Sequence, residues 1–313
     1  MTNSNKKIQR LVEIAQLYYE QNLTQSEISK RMGVSRPLVS RMLNEAKELG
    51  IVNIQIRSPS EGSTGLLDEL RNKYNLRGGV IIPDANVENT TNQQIAAHIL
   101  DLLFGLSPAP LNIGIGWGYI LGIFTKYIEK TEIKQKIDAN IFPLIGNSSV
   151  SNRDYHSNEI VRVFAEKTGA TPLYLFAPAF LETEQEKKLY EESESFKSID
   201  NGWKQMDTAI INLGNYPSVP DYATATRFGD LLSVRKAAGR MLCYYFERNG
   251  VIIESESDHT IQVPIPQLAR CRNVIGIGSV ALQPKALVGA LKTGLLTHII
   301  TAESVAKQAL ETT

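Results

Sequence analysis

Two cysteines, Cys243 and Cys271, are all the thiols in the 313-residue chain. They cannot form a four-cysteine metal site and are too few for the disulfide framework of a secreted scaffold. Histidine is almost as scarce: His98, His156, His259 and His298 stand far apart, with no pair at metal-ligand spacing, so neither metal nor cofactor is expected. The polar first ten residues contain no apolar signal core. One uncharged run, residues 102–125, is long enough to span a bilayer. It also holds Gly105, Gly114, Gly116, Gly118, Gly122, Pro108, Pro110 and Asn112, so a buried strand, a glycine-rich turn and a helix account for it better than a membrane span. Internal repeats and low-complexity blocks are missing too. The expectation is a cytoplasmic protein that does not engage a membrane.

Net charge is missing as well. Lysine plus arginine number 33 and aspartate plus glutamate 33, while 42% of residues are hydrophobic, which excludes a disordered chain. The length suggests about two domains. Charge is unevenly spread. Residues 1–57 carry nine basic and five acidic side chains, a net +4, against −4 for the remainder. A basic head on an acidic body is what a polyanionic partner would meet.

The head reads as three helices and a strand. Apolar residues recur at helical spacing over 8–22. Thr24 and Glu27 form a capping-box pair for a short helix over 24–31, which Gly33 ends. Ser35 is placed to cap the next helix, with Pro37 in its first turn and Gly50 beyond its end. That helix turns Val39, Met42, Leu43 and Ala46 inward. Residues 51–57 alternate as a half-buried strand, a wing. Two short helices about a glycine turn make a helix-turn-helix. The second presents Arg36, Ser40, Arg41 and Asn44 outward, side chains that bond phosphates or base edges in a major groove, and it opens on Ser35-Arg36-Pro37, where first-turn amides point at phosphate. Double-stranded DNA is the expected partner.

The run Thr24-Gln25-Ser26-Glu27-Ile28-Ser29-Lys30-Arg31-Met32-Gly33-Val34-Ser35-Arg36-Pro37-Leu38-Val39-Ser40-Arg41-Met42-Leu43 resembles the head of SorC-family bacterial regulators. The resemblance implies a sugar-responsive transcription factor with a large carboxyl-terminal effector domain.

Residues 58–65, rich in Ser, Gly and Pro, read as a linker between a helix-turn-helix domain at 1–57 and an effector and oligomerisation domain at 66–313. Beyond a helix at 66–74, short apolar runs alternate with helical patterns: 79–83, 111–116, 140–144, 172–176, 208–213, 273–278 and 297–301 read as strands. The fold class is therefore α/β, a mostly parallel, Rossmann-like sheet covered on both faces. Ligands of such sheets sit at the carboxyl ends of the strands. Four predicted strand ends carry glycine and small polar residues: Gly114, Gly116, Trp117 and Gly118; Gly146, Asn147 and Ser148; Gly214 and Asn215; Gly278 and Ser279 ahead of Lys285. Glycines let backbone amides approach a small ligand, and Lys285 is either a point charge for a phosphate or carboxylate or a solvated helix lysine. Trp117 offers a stacking surface for a ligand, but a tryptophan after an apolar strand is more often core. His156, Asn158 and Glu159 open a predicted helix that either lines the same cleft or is simply capped there.

The resemblance extends through segments 113–118, 143–147, 156–159, 177–179, 203–215, 276–294 and 299–306. It implies a body similar to the sugar-phosphate isomerase and deaminase superfold, a sugar or sugar-phosphate effector, and a homo-oligomer, dimer or tetramer, whose DNA affinity responds to that effector. The chain departs from the family where threonines follow the Trp-Gly pair (here Tyr119 and Ile120), in the second glycine pairs (Asn147 and Ser279), at a late carboxylate (Ala302), and at an acidic residue after Gly239 (Arg240). The rival reading is a sugar-phosphate isomerase-like enzyme with an appended DNA-binding head. It needs a positioned carboxylate or histidine, and Ala302 stands where the resemblance would put a carboxylate. An architectural DNA-binding protein would leave the large body unexplained.

Overall fold

Residues 3–19, 21, 23–52, 61–148, 156–217 and 226–312 are described in the computed structural model. They belong to two units, Met1–Ser58 and Pro59–Thr313. The first contains α1 (Asn3–Tyr19), α2 (Gln25–Met32) and α3 (Arg36–Glu48). Local chemistry sets their ends. The Glu27 N–H donates to Thr24 Oγ1 (3.3 Å) and the Thr24 N–H to Glu27 Oε2 (2.8 Å), the reciprocal box its spacing predicts. Gly33 ends α2 at φ +64°, a left-handed turn that a side chain would strain. Val39, Met42, Leu43 and Ala46 of α3 are buried against Leu11, Ile14, Leu17 and Ile28.

Ser35 differs from expectation. It occupies the N-cap position of α3, but its hydroxyl makes no cap bond. The reason lies in the first turn. Pro37 has no N–H to offer, and the next amide, Leu38, already donates to the Ser35 carbonyl (3.0 Å). The two helix starts should therefore respond differently to alanine. Thr24→Ala should destabilise the amino-terminal unit by about 1 kcal/mol and Ser35→Ala by almost nothing, read from hydrogen exchange of the α2 and α3 amides. Equal losses would contradict this assignment. The predicted wing lies outside the described residues from 53 onward; Ile51 and Val52 pack on the helical core.

The second unit opens with α4 (Glu61–Tyr74), so the predicted linker is helical from Glu61 on. Gly62 and Gly65 each disfavour helix by about 1 kcal/mol. Tertiary contact overrides this: Leu70 is fully buried, and Leu66 and Leu67 pack on the same core. There follow β1 (Gly78–Ile82), α5 (Glu88–Gly105), β2 (Asn112–Ile115), α6 (Tyr119–Lys130), β3 (Asn140–Pro143), α7 (Ser157–Thr168) and β4 (Thr171–Pro172). Next come α8 (Glu184–Glu191), α9 (Glu194–Gln205), β5 (Thr208–Asn215), α10 (Leu231–Val234), β6 (Ala237–Met241), β7 (Tyr244–Glu247) and β8 (Ile252–Ile253). The chain ends through α11 (Ile265–Arg270), β9 (Asn273–Ile277), α12 (Pro284–Lys292), β10 (His298–Ala302) and α13 (Glu303–Glu311).

Seven strands form a parallel sheet in the order β1-β10-β9-β5-β2-β3-β4. Its central strands are apolar and buried, as a sheet covered on both faces requires. Helices α5, α6 and α7 pack side by side in one layer; α4, α13 and α12 form another. The uncharged run 102–125 comprises the end of α5, β2, a turn and α6. Among the described residues no helix is long and apolar enough to cross a membrane. The strand predicted at 172–176 is reduced to Thr171–Pro172, at the sheet edge. An antiparallel ribbon, β6-β7-β8, was not anticipated; β6 pairs with the last three residues of β5.

Candidate functional site

Two surfaces carry the residues singled out in the sequence. On the head, Ser35, Arg36, Pro37, Arg41 and Asn44 are exposed and Ser40 is half-buried, all on or beside α3. Neither Arg36 nor Arg41 has an acidic partner among the described residues. Beside them a groove of about 530 Å³ runs between the end of α1 and the starts of α2 and α3, lined by Tyr18, Tyr19, Gln25, Ser26 and Arg36.

On the body, chain order reverses between β2 and β5, which are neighbours in the sheet. From there β2, β3 and β4 proceed one way and β5, β9 and β10 the other. This is a topological switch point, where diverging loops leave a crevice at the carboxyl ends of the strands. All four glycine-bearing turns lie on that edge, because β2, β3, β5 and β9 run parallel. Much of their polar capacity is already used. Gly118 has φ +133°, and a Cβ there would lie 2.8 Å from the Asn212 side chain. Asn212 Oδ1 accepts the Ile120 N–H at the start of α6 (3.0 Å). Asn215 Oδ1 accepts the Gln283 N–H ahead of α12 (2.8 Å), and its Nδ2 donates to the Ala281 carbonyl (2.9 Å). Asn147 is likewise held, donating to the Leu175 carbonyl (3.0 Å) and accepting from Ser157 Oγ (3.2 Å).

The remaining turn residues are close-packed. Gly146 sits against Pro178, where a Cβ would come within 2.5 Å of the carbonyl oxygen, and Ser148 is buried. Gly116 lies under Leu242 and Gly214 under Arg240. Gly278 abuts Leu282 and Thr301. Trp117 is 4% exposed, its ring 6.2 Å from that of Phe180. Lys285, in the first turn of α12, is half-buried and has no acidic partner among the described residues; Ser279 is half-buried too. Asn158 and Glu159 are engaged elsewhere. Asn158 exchanges two hydrogen bonds with the Leu175 backbone (3.0 Å each), and Glu159 pairs with Arg162 (2.8 Å).

Sequence reading missed the polar residues that the tertiary fold brings to the crevice. Arg227 is 3% exposed, its guanidinium 4.9 Å from the ring centroids of both Phe180 and Phe228. Its Nε and Nη2 donate to Asp258 (2.8 and 3.1 Å), and Nη2 also reaches the Cys243 carbonyl (3.3 Å). Burial pushes the Asp258 carboxyl up, but the bonds and charge of Arg227 and the bonds from Thr260 outweigh it and hold the group below the usual carboxylate range. Arg227 Nη1 is buried without a partner, as are Thr301 Oγ1 beside Gly278 and Asn92 Nδ2, whose own Oδ1 accepts the Val280 N–H (3.0 Å). Unpaired buried donors at one strand edge suit a polar occupant. No local motif marks these residues, because their meeting depends on the ribbon and the β9 turn. Among the described residues no group of three or more His, Cys, Asp or Glu could hold a metal ion.

Comparison with known proteins agrees with this architecture. The family described as "Putative sugar-binding domain" matches residues 58–311, and the MarR family matches residues 14–62. The sorbitol operon regulator of Klebsiella pneumoniae is 28% identical over 99% of this chain and 100% of its own length. The deoxyribonucleoside regulator of Bacillus subtilis is 26% identical over 97% and 98%. The crystal structure of full-length SorC from Klebsiella pneumoniae superposes with a TM-score of 0.75, at 26% identity, over 97% of this chain and 98% of that one. The chain belongs to the sugar-binding-domain family of SorC type, with a MarR-type helix-turn-helix at its head.

Proposed function

We propose that the chain is a transcriptional regulator that reads operator DNA with α3 and is controlled by a sugar or sugar phosphate in the strand-end crevice. The observation that carries this reading is the pair Arg36 and Arg41: exposed, on one helix of a helix-turn-helix, with no acidic partner among the described residues. Unpaired cations beside a polar groove suit a phosphate backbone, and Ser40 and Asn44 supply base-edge contacts. The Ser35 hydroxyl, unused as a cap, remains for a phosphate oxygen. The relatives are named as operon regulators, and the body gives such a protein its sensor rather than a catalytic centre. The effector sits at the carboxyl ends of β2, β5 and β9, where the close-packed glycine turns form the floor and the half-buried Ser279 and Lys285 stand beside it. A helix-turn-helix on paired half-sites calls for a symmetric dimer or tetramer. Control requires only that the effector bind two arrangements of that oligomer unequally, typically by about 1–3 kcal/mol.

The test is a thermal-shift screen of free and phosphorylated sugars, repeated with duplex DNA selected by the protein from a random pool. An effector at about 100 times its Kd should stabilise the protein by about 2.7 kcal/mol and change its affinity for that DNA. Selection that recovers no preferred sequence, or a bound sugar without influence on DNA affinity, would refute the reading.

A further inference from the structure

We propose that a groove on the flank of the body is a second small-molecule site, and that it takes a neutral polyhydroxy compound, a sugar or an open-chain polyol. The groove is distinct from the strand-end crevice: its lining includes none of the glycine turns, nor Ser279 or Lys285. The proposal therefore stands whether or not the crevice holds an effector.

The groove has a volume of about 410 Å³, within the range of small-molecule sites, and is lined by the α8–α9 pair, by the stretch 258–264 and by Tyr244 of β7. The stretch is fixed by the main chain that follows β3. Its Ile261 carbonyl accepts the Gly146 N–H (2.9 Å), and its Val263 N–H donates to the Leu144 carbonyl (2.8 Å). Phe196, Trp203 and Ile261 give the groove a buried apolar floor, the two rings meeting edge to face at 5.6 Å. Trp203 Nε1 is already committed to the Pro143 carbonyl (2.8 Å), so the ring offers only its carbon surface.

Three carboxylates line the groove, and each has its own cation. Glu191 faces Lys187 (4.0 Å), Asp200 is bonded by Lys204, and Asp258 is bonded by Arg227 (2.8 Å). Beyond these and Lys187, the described lining is uncharged. The groove is thus close to neutral and has no unspent charge with which to draw an ion from water.

What is unspent is hydrogen-bonding capacity. Gln262 is 8% exposed. Its Oε1 accepts the Cys243 N–H (3.0 Å), which fixes the amide and leaves Nε2, a donor, without a partner among the described residues. Tyr244 Oη gives its proton to the Val263 carbonyl (2.9 Å) and keeps its lone pairs. Asp258 gathers its bonds from Thr260 and from Arg227 Nε on Oδ1, while Oδ2 accepts only Arg227 Nη2 (3.1 Å). Asp200 binds Lys204 through Oδ2 alone. One buried donor among several acceptors matches adjacent hydroxyls, since each hydroxyl both donates and accepts. One ligand oxygen satisfies Gln262 Nε2, neighbouring hydroxyls donate to the carboxylates, and the C–H face rests on the apolar floor. An ammonium group would leave the Gln262 donor unmet. A carboxylate or phosphate would meet it but face the lone pairs of Asp200 and Asp258.

The experiment is calorimetric titration of the full-length protein at constant ionic strength. The probes are glucose and glucitol, ribose and ribitol, with glucosamine and gluconate as the cationic and anionic counterparts. At least one neutral probe should bind saturably, and about tenfold more tightly than either charged one. Gln262→Glu keeps the acceptor for Cys243 and exchanges the free donor for an oxygen; it should weaken that binding by about tenfold, the loss of one good hydrogen bond. Asp200→Ala, at a partly exposed helix position, should weaken it by about threefold or more, and it carries the test if thermal melting shows that Gln262→Glu does not fold. Lys285→Ala should leave it within about threefold of wild type. Four results would each overturn the proposal: no saturable binding by any neutral probe, a charged probe bound as tightly, binding unchanged in the folded groove variants, or binding lost in Lys285→Ala and kept in Gln262→Glu. The last would place the ligand in the strand-end crevice instead.

Discussion

Replacing Arg36 and Arg41 together by alanine should weaken binding to the selected operator about 10²- to 10⁴-fold in a mobility-shift titration at fixed salt. A base- or phosphate-contacting arginine contributes about 1–3 kcal/mol, and each 1.4 kcal/mol is tenfold. Both side chains are exposed and have no acidic partner among the described residues, so no ion pair described there offsets the loss. The inward stripe of α3 is untouched, so the melting profile should be preserved. Salt separates the two kinds of contact. An arginine on phosphate, when removed, lowers the magnitude of the salt slope by about one, whereas an arginine on a base edge relaxes sequence preference at one position. A double variant that binds the operator like the wild type would show that α3 is not the recognition helix.

The largest stability effect should come from the Arg227–Asp258 pair. Arg227→Ala leaves a mostly buried carboxylate without its cation, a change that costs about 3–5 kcal/mol. Asp258→Leu alone should be comparably harmful, because it strands the guanidinium between Phe180 and Phe228. The double variant Arg227→Met with Asp258→Leu should regain most of the loss, as buried ion pairs exchanged for apolar pairs often do. The pH dependence has a defined sign. Asp258 is held below its unfolded value, so the pair's contribution is complete above about pH 4 and disappears as pH falls through the lower folded value. Without Arg227, burial is opposed only by the bonds from Thr260, and the carboxyl's affinity for a proton rises. The gap between wild type and Arg227→Ala should therefore narrow in acid. Additive losses in the double variant, measured by denaturant unfolding, would show that the two side chains do not act as a unit.

What the sequence disclosed and withheld follows the range of the interactions involved. The box at Thr24 and Glu27, the left-handed Gly33 and the inward stripe of α3 are matters of three or four residues, and each is legible. Buried parallel strands such as Asn273–Ile277 and His298–Ala302 are legible as apolar runs. The β6 strand is not, because Ala237-Ala238-Gly239-Arg240-Met241 lacks β-branched residues and owes its extension to pairing with β5 and β7. α8 had a readable signal that passed unnoticed: Thr183 and Glu186 form a second capping box, on a helix that buries none of its residues. Gly62 and Gly65 pointed to a hinge because their intrinsic preference was visible while the packing of Leu70 was not. The glycine turns are legible and lie on one edge of the sheet because their strands run parallel; Asn212 and Arg227 could not be placed beside them, since only the β2-β5 adjacency and the ribbon bring them there.

β5 belongs to two partnerships at once. Thr208–Asn212 lies within the parallel sheet beside β9, while Leu213, Gly214 and Asn215 extend beyond it to pair with β6. Such an overhang divides the labour of inheritance. The buried portion is fixed by neighbours on both sides and tolerates little drift, whereas the projecting tip and the ribbon clipped to it can exchange side chains without disturbing the layers beneath. A scaffold of this kind can change its chemical palate many times over and still keep the same skeleton.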